Sequence, residues 1–588
     1  MRLEDVGLVG NCQFSALVHR SGAVVWCCLP RFDAEPVFST LLDEARGGQF
    51  LVSPEEGGAG EQRYLENTNV LETVFQTATG RFRVVDFAPR FQANDRAFRP
   101  TQLFRLLEPL EGTPRVRVVC QPRLGWSQEV PAELQGSHHI AFSGFASPLR
   151  LTTDVPLSYL TGQPFSLTGR RHLVLAWGAP VEEPLAALST RFLDETLRYW
   201  RRWVKHCNIP ALYQQQVIRS ALALKLHCFE DTGAILAAMT TSLPESPGAG
   251  RNWDYRYCWL RDAYYAVDGL RLLGHFEERE AFVGYLLDVA GASPELRLAP
   301  VYRIDGTTDL AERILPGWAG YEGEQPIRVG NGAALHVQND VFGEMALALT
   351  PVFLDDRFAA ERTPAALRLL EGLARRAMAV VGTPDAGIWE YRTPWQPQTF
   401  STLMCWAAVD RMARVATRHA PALSEEFAAA ARRIRTDIVE QTWSAELGGF
   451  ASVRGGTEVD ASLLQMAPLR FLPGDDPRLR GTIDAIQRGL TRDGWLLRYR
   501  TDDGFGTPAV SFVLCNFWLV VALAATGRAA EARTILEQVL AAAPPLGLLS
   551  EDYDPRGRRW WGNFPQVYSH VGLIHAAFAA SPRWSEVL

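Results

Sequence analysis

The sequence predicts a multidomain β + α fold class, in which an N-terminal antiparallel β-sandwich precedes a larger helical domain. Two observations predict it. Up to about residue 190, short apolar runs alternate with turn signals, a spacing typical of a sandwich. Beyond that point apolar residues recur at helical intervals over long segments. We therefore expect a β-sandwich domain over 1–190, a linker helix over 191–211 and a helical domain over 212–588.

The N-terminal strands are indicated by stretches such as "ETVFQTATGRFRVVDFA", a strand, a turn near Thr79 and Gly80, and a second strand. The pattern changes near residue 184, where "PLAALSTRFLDETLRYWRRWVKHCN" becomes helical, with basic residues giving an exposed side. This segment is predicted to be the helix that joins the two domains.

The helical domain is indicated by eight segments separated by long loops that are rich in Gly, Pro and aromatic residues. Ser424 is a plausible N-cap of one of them, "SEEFAAAARRIRTDIVEQTW". The predicted helices are 212–230, 335–350, 363–381, 400–418, 423–442, 508–526, 529–542 and 564–579. Long loops that converge at one end of such a domain would form a binding site.

Composition excludes several functions. The 59 Lys+Arg against 66 Asp+Glu give a net charge of −7, which argues against a nucleic-acid partner. The sequence contains no run of about 18 uncharged apolar residues, so we expect no membrane span. The acidic start does not resemble a secretory signal, and nine cysteines without a C-x-x-C pair indicate free thiols, so we expect a cytoplasmic protein. No zinc-binding pattern is present, and we expect no metal.

The segment "RNWDYRYCWLRDAYY", residues 251–265, crowds aromatic rings around charged groups. A core strand would not carry so many charges, and a solvated helix face would not carry so many rings. Such a mixture suits a ligand with apolar faces and hydroxyl edges, as sugars have.

Two carboxyl groups stand out by context. Glu390 lies between Trp389 and Tyr391, and partial desolvation by these rings favours a protonated carboxyl that could act as a general acid. The alternative is an acid at a helix N-terminus or an ion pair with Arg392. Glycoside hydrolysis needs two carboxyl groups, but residue types alone do not say which two.

Glu551 lies in the loop "GLLSEDYDPRGRRWWGNFPQ", among other acids, basic residues and Trp560 and Trp561. Glu551 is the second candidate for a catalytic carboxyl group, and the alternative is that it belongs to a charged surface loop. The two tryptophans are expected to be exposed, available for sugar stacking, and to narrow the leaving-group site.

Motifs along almost the whole chain identify a resemblance. They are "LEDVGLVGNCQFSALVHRSGAVVWCCLPRFDAEPVF", "NWDYRYCWLRDA", "YRIDGTTDLAERILPGWAGYEGEQPIRVGNGA", "GIWEYR", "LLSEDYDP" and "GNFPQVYSHVGLI". In this order they resemble glycoside hydrolase family 15, the glucoamylase-like proteins, in the bacterial form with an N-terminal sandwich. The family implies an (α/α)6 barrel as the catalytic domain, inversion of configuration, and no cofactor.

The resemblance also implies residue roles. By motif, Glu390 is similar to the general acid and Glu551 to the general base, and Arg261 with Asp262 to the pair that binds glucose hydroxyls. The other implied site residues are Tyr255, Trp259, Trp389 and, as a weaker transfer, Asn331. An inverting site leaves room for water, so the two catalytic carboxyl groups are expected about 6.5–9.5 Å apart.

The implied function is an inverting, exo-acting α-glucoside hydrolase that releases β-D-glucose from the non-reducing end of short α-glucosides. An α,α-trehalase or an isomaltose- or dextran-type enzyme of the same family is the alternative. From other classes, a glycoside phosphorylase and a non-catalytic sugar sensor stay open. The expected partner is a small α-glucoside, and the oligomeric state, monomer or homo-oligomer, is left open.

Overall fold

The computed structural model describes residues 1–293, 295–392 and 394–588, and its N-terminal region forms strands β1 to β17. They are β1 (Val6–Gly10), β2 (Ser15–His19), β3 (Ala23–Cys28), β4 (Pro36–Phe38), β5 (Gln49–Pro54), β6 (Glu61–Tyr64), β7 (Leu71–Thr77), β8 (Gly80–Phe87), β9 (Phe91–Ala93), β10 (Arg96–Phe98), β11 (Gln102–Gly112), β12 (Arg115–Gln121), β13 (Ala132–Gln135), β14 (His139–Ser143), β15 (Leu149–Thr153), β16 (Phe165–Ser166) and β17 (Arg171–Trp177).

Fifteen of these strands build two antiparallel sheets, and β9 and β10 pair separately with each other. Sheet 1 has the order β1-β2-β3-β5-β12-β16, with β4 paired to β3, and sheet 2 has the order β13-β14-β15-β17-β11-β8-β7-β6. The predicted strand–turn–strand is the β7–β8 hairpin, in which Thr77 pairs with Gly80. The antiparallel sandwich is confirmed.

The central strands of sheet 2, β8, β11 and β17, are buried on both faces over part of their length, which explains the apolar runs in β11 and β17. In β8, Phe82 and Val84 pack into the core between the sheets, while Val85 and Phe87 point the other way. Side chains alternate across a strand, so two apolar sets need two cores. Helix α1 (Leu185–Lys205) covers the outer face through residues such as Phe192. It begins before residue 191 and ends before residue 211, so the linker helix lies nearer the N-terminus than the predicted range.

The remaining chain forms paired helices. They are α2 (Gln214–Leu226), α3 (Leu260–Leu273), α4 (Glu277–Gly291), α5 (Val341–Leu354), α6 (Pro364–Val380), α7 (Thr399–His419), α8 (Ser424–Thr442), α9 (Pro477–Leu490), α10 (Val513–Ala525), α11 (Ala529–Ala542), α12 (Val567–Ala580) and the short α13 (Trp584–Val587).

The helices form two concentric rings. The inner ring runs α3, α5, α7, the 3-10 helix Ala461–Met466, α10 and α12, which closes back on α3. The outer members α2, α4, α6, α8, α9 and α11 alternate with them along the chain. The (α/α)6 barrel is confirmed, with a 3-10 helix as one inner member.

The predicted ranges omit four of these helices, α3, α4, α9 and the short α13. The first turn of α3 contains the buried charged residues Arg261 and Asp262, and the sequence around them was interpreted as a ligand-binding segment, not as the start of a helix. Two predicted helices, over 335–350 and 508–526, begin late because their first residues belong to loops.

The two domains share one core. Apolar residues of sheet 1, such as Leu8 and Val25, belong to the same cluster as the barrel residues Leu224 and Ala263. Trp26 Nε1 also donates to the Met239 carbonyl at 2.8 Å. The sandwich is therefore packed into the barrel wall.

Within the described part of the chain, no helix has both the length and the apolar character to cross a membrane. All nine cysteines are free, as predicted, and eight of them are buried.

Candidate active site

An open cavity lies at the N-terminal ends of the inner helices, with ≈ 820 Å³ of empty space including its mouth. Five of the six loops that lead from an outer helix into an inner helix supply lining residues, which is why residues far apart in sequence meet. All eight predicted site residues line this cavity: Tyr255, Trp259, Arg261, Asp262, Asn331, Trp389, Glu390 and Glu551.

Glu390 projects from the loop between α6 and α7. Its Oε1 accepts a hydrogen bond of 2.7 Å from Trp259 Nε1, and Arg261 Nη2 lies 3.4 Å from the same oxygen. Its backbone has φ of 60°, a left-handed conformation that is strained for a residue other than glycine. Such strain concentrates at functional sites, where the surrounding structure holds it. The side chain is 22% exposed, so one side of the carboxyl faces the cavity.

Glu551 lies in the loop between α11 and α12 and is only 2% exposed, so it is not part of a solvated surface loop. Gly562 passes so close that a Cβ there would lie 2.8 Å from Glu551 Oε2. Burial raises the pKa of Glu551 to about 8, and the nearby charge of Glu245 adds to this. The Arg498 guanidinium and a hydrogen bond from the Tyr255 hydroxyl act in the opposite direction and favour the carboxylate.

The neighbouring Asp552 is buried as deeply. Burial, followed by the charge of Glu551, raises its pKa well above the ordinary value. In the described residues, no donor reaches its Oδ2. Two adjacent carboxyl groups in one dry space cannot easily both be charged. Both pKa values are raised, and Glu551, which accepts from the Tyr255 hydroxyl, is the first of the two to lose its proton as pH rises.

Sequence analysis missed the network behind Glu551. Arg498 Nη2 donates to Glu245 Oε2 at 2.5 Å, and Arg251 pairs with Asp503 through two contacts of 2.6 Å. All four residues line the cavity. Their local signal is a charged residue in a loop rich in Gly, Pro or aromatics, which also describes ordinary surface loops.

Arg261 and Asp262 form the closed end of the cavity. The guanidinium of Arg261 donates to the Tyr568 hydroxyl at 2.5 Å and to the Ile388 carbonyl at 2.8 Å, and it also lies near Gln338 and Glu390. Asp262 Oδ2 is 3.3 Å from Arg261, yet no donor within the described residues is aligned to hydrogen-bond it. Burial raises the pKa of Asp262 to about 6. Asp262 thus lines the cavity as a buried carboxyl group beside an arginine that protein groups engage.

The rings enclose the same end. The planes of Tyr255 and Trp259 meet at 77° with centroids 5.3 Å apart. Trp389 packs against Tyr499 and Phe512, each at 5.8 Å, which fixes its orientation beside Glu390.

Asn331 has a clear structural role. Its Oδ1 accepts from the Ala333 amide at 2.9 Å, and its Nδ2 donates to the Asp254 carbonyl at 3.2 Å. Asp254 in turn holds Arg256 through contacts of 2.9 and 2.7 Å.

One expectation is wrong. Trp560 and Trp561 are buried, at 1% and 4% exposure, and neither lines the cavity. Trp560 packs on Tyr553, and Trp561 packs on Tyr321, so both rings belong to the core. They do not narrow the leaving-group site.

The mouth of the cavity has a different character. Arg392 lies over the rings of Trp253 and Phe505, at 4.7 and 5.0 Å, and its side chain is 43% exposed. Its Nη2 is 3.7 Å from Glu312 Oε2, which also lies beside Arg328.

A buried acidic pair lies behind the closed end. Asp340 and Glu344 are one turn apart at the start of α5, and in the described chain no donor reaches the four oxygens of their carboxyl groups. Burial, followed by the charge of Asp385, raises the pKa of Asp340 to about 7, while Arg261 opposes this. No group of three or more His, Cys, Asp or Glu residues in the described chain could hold a metal ion.

Comparison with known proteins identifies the family. The sequence model of glycosyl hydrolases family 15 matches residues 211–578, and that of the trehalase-like N-terminal domain matches residues 1–155. The chain belongs to glycosyl hydrolases family 15. This family-15 enzyme is therefore a glycoside hydrolase, as the motifs predicted.

Curated relatives of this family-15 enzyme extend along its whole length. It is 35% identical to a trehalase of Mycobacterium tuberculosis, with 98% of this chain and 89% of that protein covered. It is 31% identical to a trehalase of Thermoplasma volcanium, with 100% and 94% covered. Among solved structures, a bacterial glucoamylase in complex with acarbose superposes with a TM-score of 0.65 at 14% identity and covers 98% of this chain and 94% of its own. That match shows the shared fold.

Proposed function

We propose that this enzyme hydrolyses the α-glucosidic bond of a terminal glucose with inversion, acting on short α-glucosides and first among them α,α-trehalose. The observation that carries the proposal is that Glu390 and Glu551, from separate loops, line one cavity in different surroundings. A pair of carboxyl groups in distinct environments is what acid and base roles require.

In the proposed reaction, protonated Glu390 donates its proton to the glycosidic oxygen as the C1–O bond breaks. Glu551 in its ionised form accepts a proton from the water that attacks C1 from the opposite face, so with its pKa raised to about 8 we expect the base role to strengthen as pH rises toward that value. The product is β-glucose and the released sugar carries the original bridging oxygen. The expected separation of about 6.5–9.5 Å between the carboxyl groups stays a prediction.

The closed end of the cavity suits a terminal glucose. Asp262 offers an acceptor for a hydroxyl group, and Arg261 stabilises this closed end of the cavity. The rings of Tyr255, Trp259 and Trp389 can cover the C–H faces of the sugar. Exclusion of water by these rings strengthens the polar contacts. Asn331 would contribute by holding its loop.

Trehalose is favoured over the other glucosides because the curated relatives named trehalases align with both domains of this chain. The sequence alone predicted a glucoamylase-like hydrolase of short α-glucosides, with an α,α-trehalase as the alternative. The cytoplasmic location and the lack of a nucleic-acid partner stay predictions from the sequence.

The test is a substrate panel of trehalose, maltose, isomaltose and kojibiose, read by NMR before the released sugar mutarotates. Inversion of trehalose gives equal amounts of α- and β-glucose, since one glucose keeps its α configuration and the other is inverted. Release of α-glucose alone would contradict inversion, and glucose 1-phosphate formed only with phosphate would indicate a phosphorylase. Hydrolysis of maltose in preference to trehalose would move the substrate assignment to glucoamylase type.

A further inference from the structure

The cavity contains two arginines in opposite states. Arg261, at the closed end, is fully buried in protein contacts and donates to Tyr568 and to the Ile388 carbonyl. Arg392, at the mouth, is 43% exposed, and within the described residues its guanidinium donates no hydrogen bond to a protein acceptor. Its nearest carboxylate oxygen, on Glu312, is 3.7 Å away. Arg392 thus keeps its donors available to a ligand.

We propose that Arg392, held between Trp253 and Phe505, hydrogen-bonds the hydroxyls of the leaving sugar and makes the enzyme selective for a sugar as leaving group. The inference rests on the proposed hydrolysis of α-glucosides and adds a residue that determines specificity. The glucose whose C1 is attacked by water is bound elsewhere, at the Arg261 end.

The position of Arg392 supports this role. It follows Glu390 by two residues on the same loop, and both side chains line the cavity. A leaving sugar whose oxygen receives the proton of Glu390 must lie on the open side of that carboxyl, because Trp259 and Arg261 occupy its other side. Arg392 lines the same cavity and is the more exposed of the two side chains, so we place it on that open side.

The orientation of Arg392 is also fixed without using its donors. Trp253 and Phe505 meet edge to face with centroids 5.2 Å apart, and the guanidinium lies over both rings. Stacking holds a guanidinium plane while its N–H groups stay free to bind at the edges. The nearest carboxylate, on Glu312, lies outside the cavity lining and 3.7 Å from the guanidinium, so it does not occupy these donors.

A purely structural role for Arg392 is the competing explanation. The Glu312 contact is long and partly exposed, and such ion pairs contribute little to stability. A residue that only holds the loop would affect every substrate equally, whereas a residue that binds the leaving sugar affects only substrates that have one.

The experiment compares trehalose with α-D-glucosyl fluoride, whose leaving group is a single fluoride ion. The variants are Arg392→Ala and Arg392→Lys, with Arg500→Ala as the matched control, because Arg500 is exposed and does not line the cavity. For Arg392→Ala we expect kcat/KM on trehalose to fall about 10- to 100-fold, the size of a lost charged hydrogen bond. The fall on α-glucosyl fluoride should be at least ten times smaller, Lys should be intermediate, and Arg500→Ala should match wild type.

Activity on the fluoride shows that each variant is folded. Equal losses on both substrates, or no loss on either, would overturn the proposal. If wild type does not cleave trehalose, the proposed substrate fails, and the comparison is made with the disaccharide of the panel that wild type does cleave. A wild-type enzyme that hydrolyses the fluoride but no disaccharide overturns this inference as well.

Discussion

The closed end and the mouth of the cavity are built in contrasting ways. At the closed end Arg261 and Asp262 lie in the first turn of α3, buried, and protein groups engage nearly every donor of the arginine. At the mouth Arg392 belongs to a loop and is held by ring stacking. The first is a rigid floor of fixed shape, and the second is a surface with unused hydrogen-bonding capacity.

This difference indicates how substrate choice is divided. A rigid floor recognises one sugar and tolerates little change, so it suits the glucose that all substrates of the proposed reaction share. Loops vary more easily than helix ends, so the mouth is where preferences for one leaving sugar over another arise.

The largest expected effect is at the base. Glu551→Gln keeps the size of the side chain but cannot accept a proton from water, so turnover should fall about 10²- to 10⁴-fold. Because water must be activated whatever leaves, the loss should be similar for trehalose and α-glucosyl fluoride, measured as initial rates. A variant that keeps near-normal turnover would remove Glu551 from the base role.

The variant Glu390→Gln tests the acid role by comparing a sugar leaving group with fluoride. On trehalose we expect a loss of about 10²- to 10⁴-fold, because the departing sugar oxygen needs the proton. Fluoride leaves without that proton, so the loss on α-glucosyl fluoride should be at least ten times smaller. Equal losses on both substrates would contradict the acid role, and circular dichroism checks that the fold is kept.

Arg261→Lys tests the floor. A lysine keeps the charge but cannot serve Tyr568, the Ile388 carbonyl and Glu390 at once. We expect kcat/KM to fall about 10- to 100-fold on both substrates alike, unlike the selective loss for Arg392→Ala. A loss confined to trehalose would show that Arg261 also acts on the leaving sugar.

The smallest expected effect concerns the acids behind the floor. Burial raises the pKa of Asp340 from 3.8 to about 7, so between these values the folded protein holds a proton that the unfolded chain has lost. The free energy of unfolding therefore falls as pH rises through this range, by linkage. Asp340→Asn cannot lose a proton and should show a smaller fall in melting temperature between about pH 5 and about pH 8.

The decrease should be reduced and not abolished in this variant. Asp262 and Asp385, whose pKa values burial raises to about 6, continue to titrate. An unchanged pH dependence in Asp340→Asn would show that Asp340 is solvated in the folded protein.

Much of the molecule could be predicted from the sequence, for identifiable reasons. The sandwich is visible because its short strands end in turn residues such as Gly80, and eight helices are visible through their apolar period. Helix α3 was not predicted, because its charged first turn with Arg261 and Asp262 was interpreted as part of a ligand-binding segment. Eight residues of the cavity lining were predicted through the family motifs, since no local pattern says that Glu390 and Glu551 meet.

The partners of Glu551 could not be predicted. Arg498 and Glu245 are contributed by different loops, and their pairing depends on how the inner helices close into a ring. Burial could not be predicted from local sequence either. Trp560 and Trp561 lie beside arginines in a loop and were expected at the surface, but tertiary packing buries them.

The fixation of Arg256 has a consequence for how the two domains depend on each other. This buried arginine is held by Asp254, by the Ala34 carbonyl of the sandwich and by the ring of Trp126, and it lies between Tyr255 and Trp259 in the sequence. Contacts from the N-terminal domain thus stabilise the segment that lines the sugar cavity. Without the sandwich, the Arg256 guanidinium would lose the Ala34 carbonyl next to Tyr255 and Trp259. The barrel therefore depends on the sandwich for the structure of its sugar cavity.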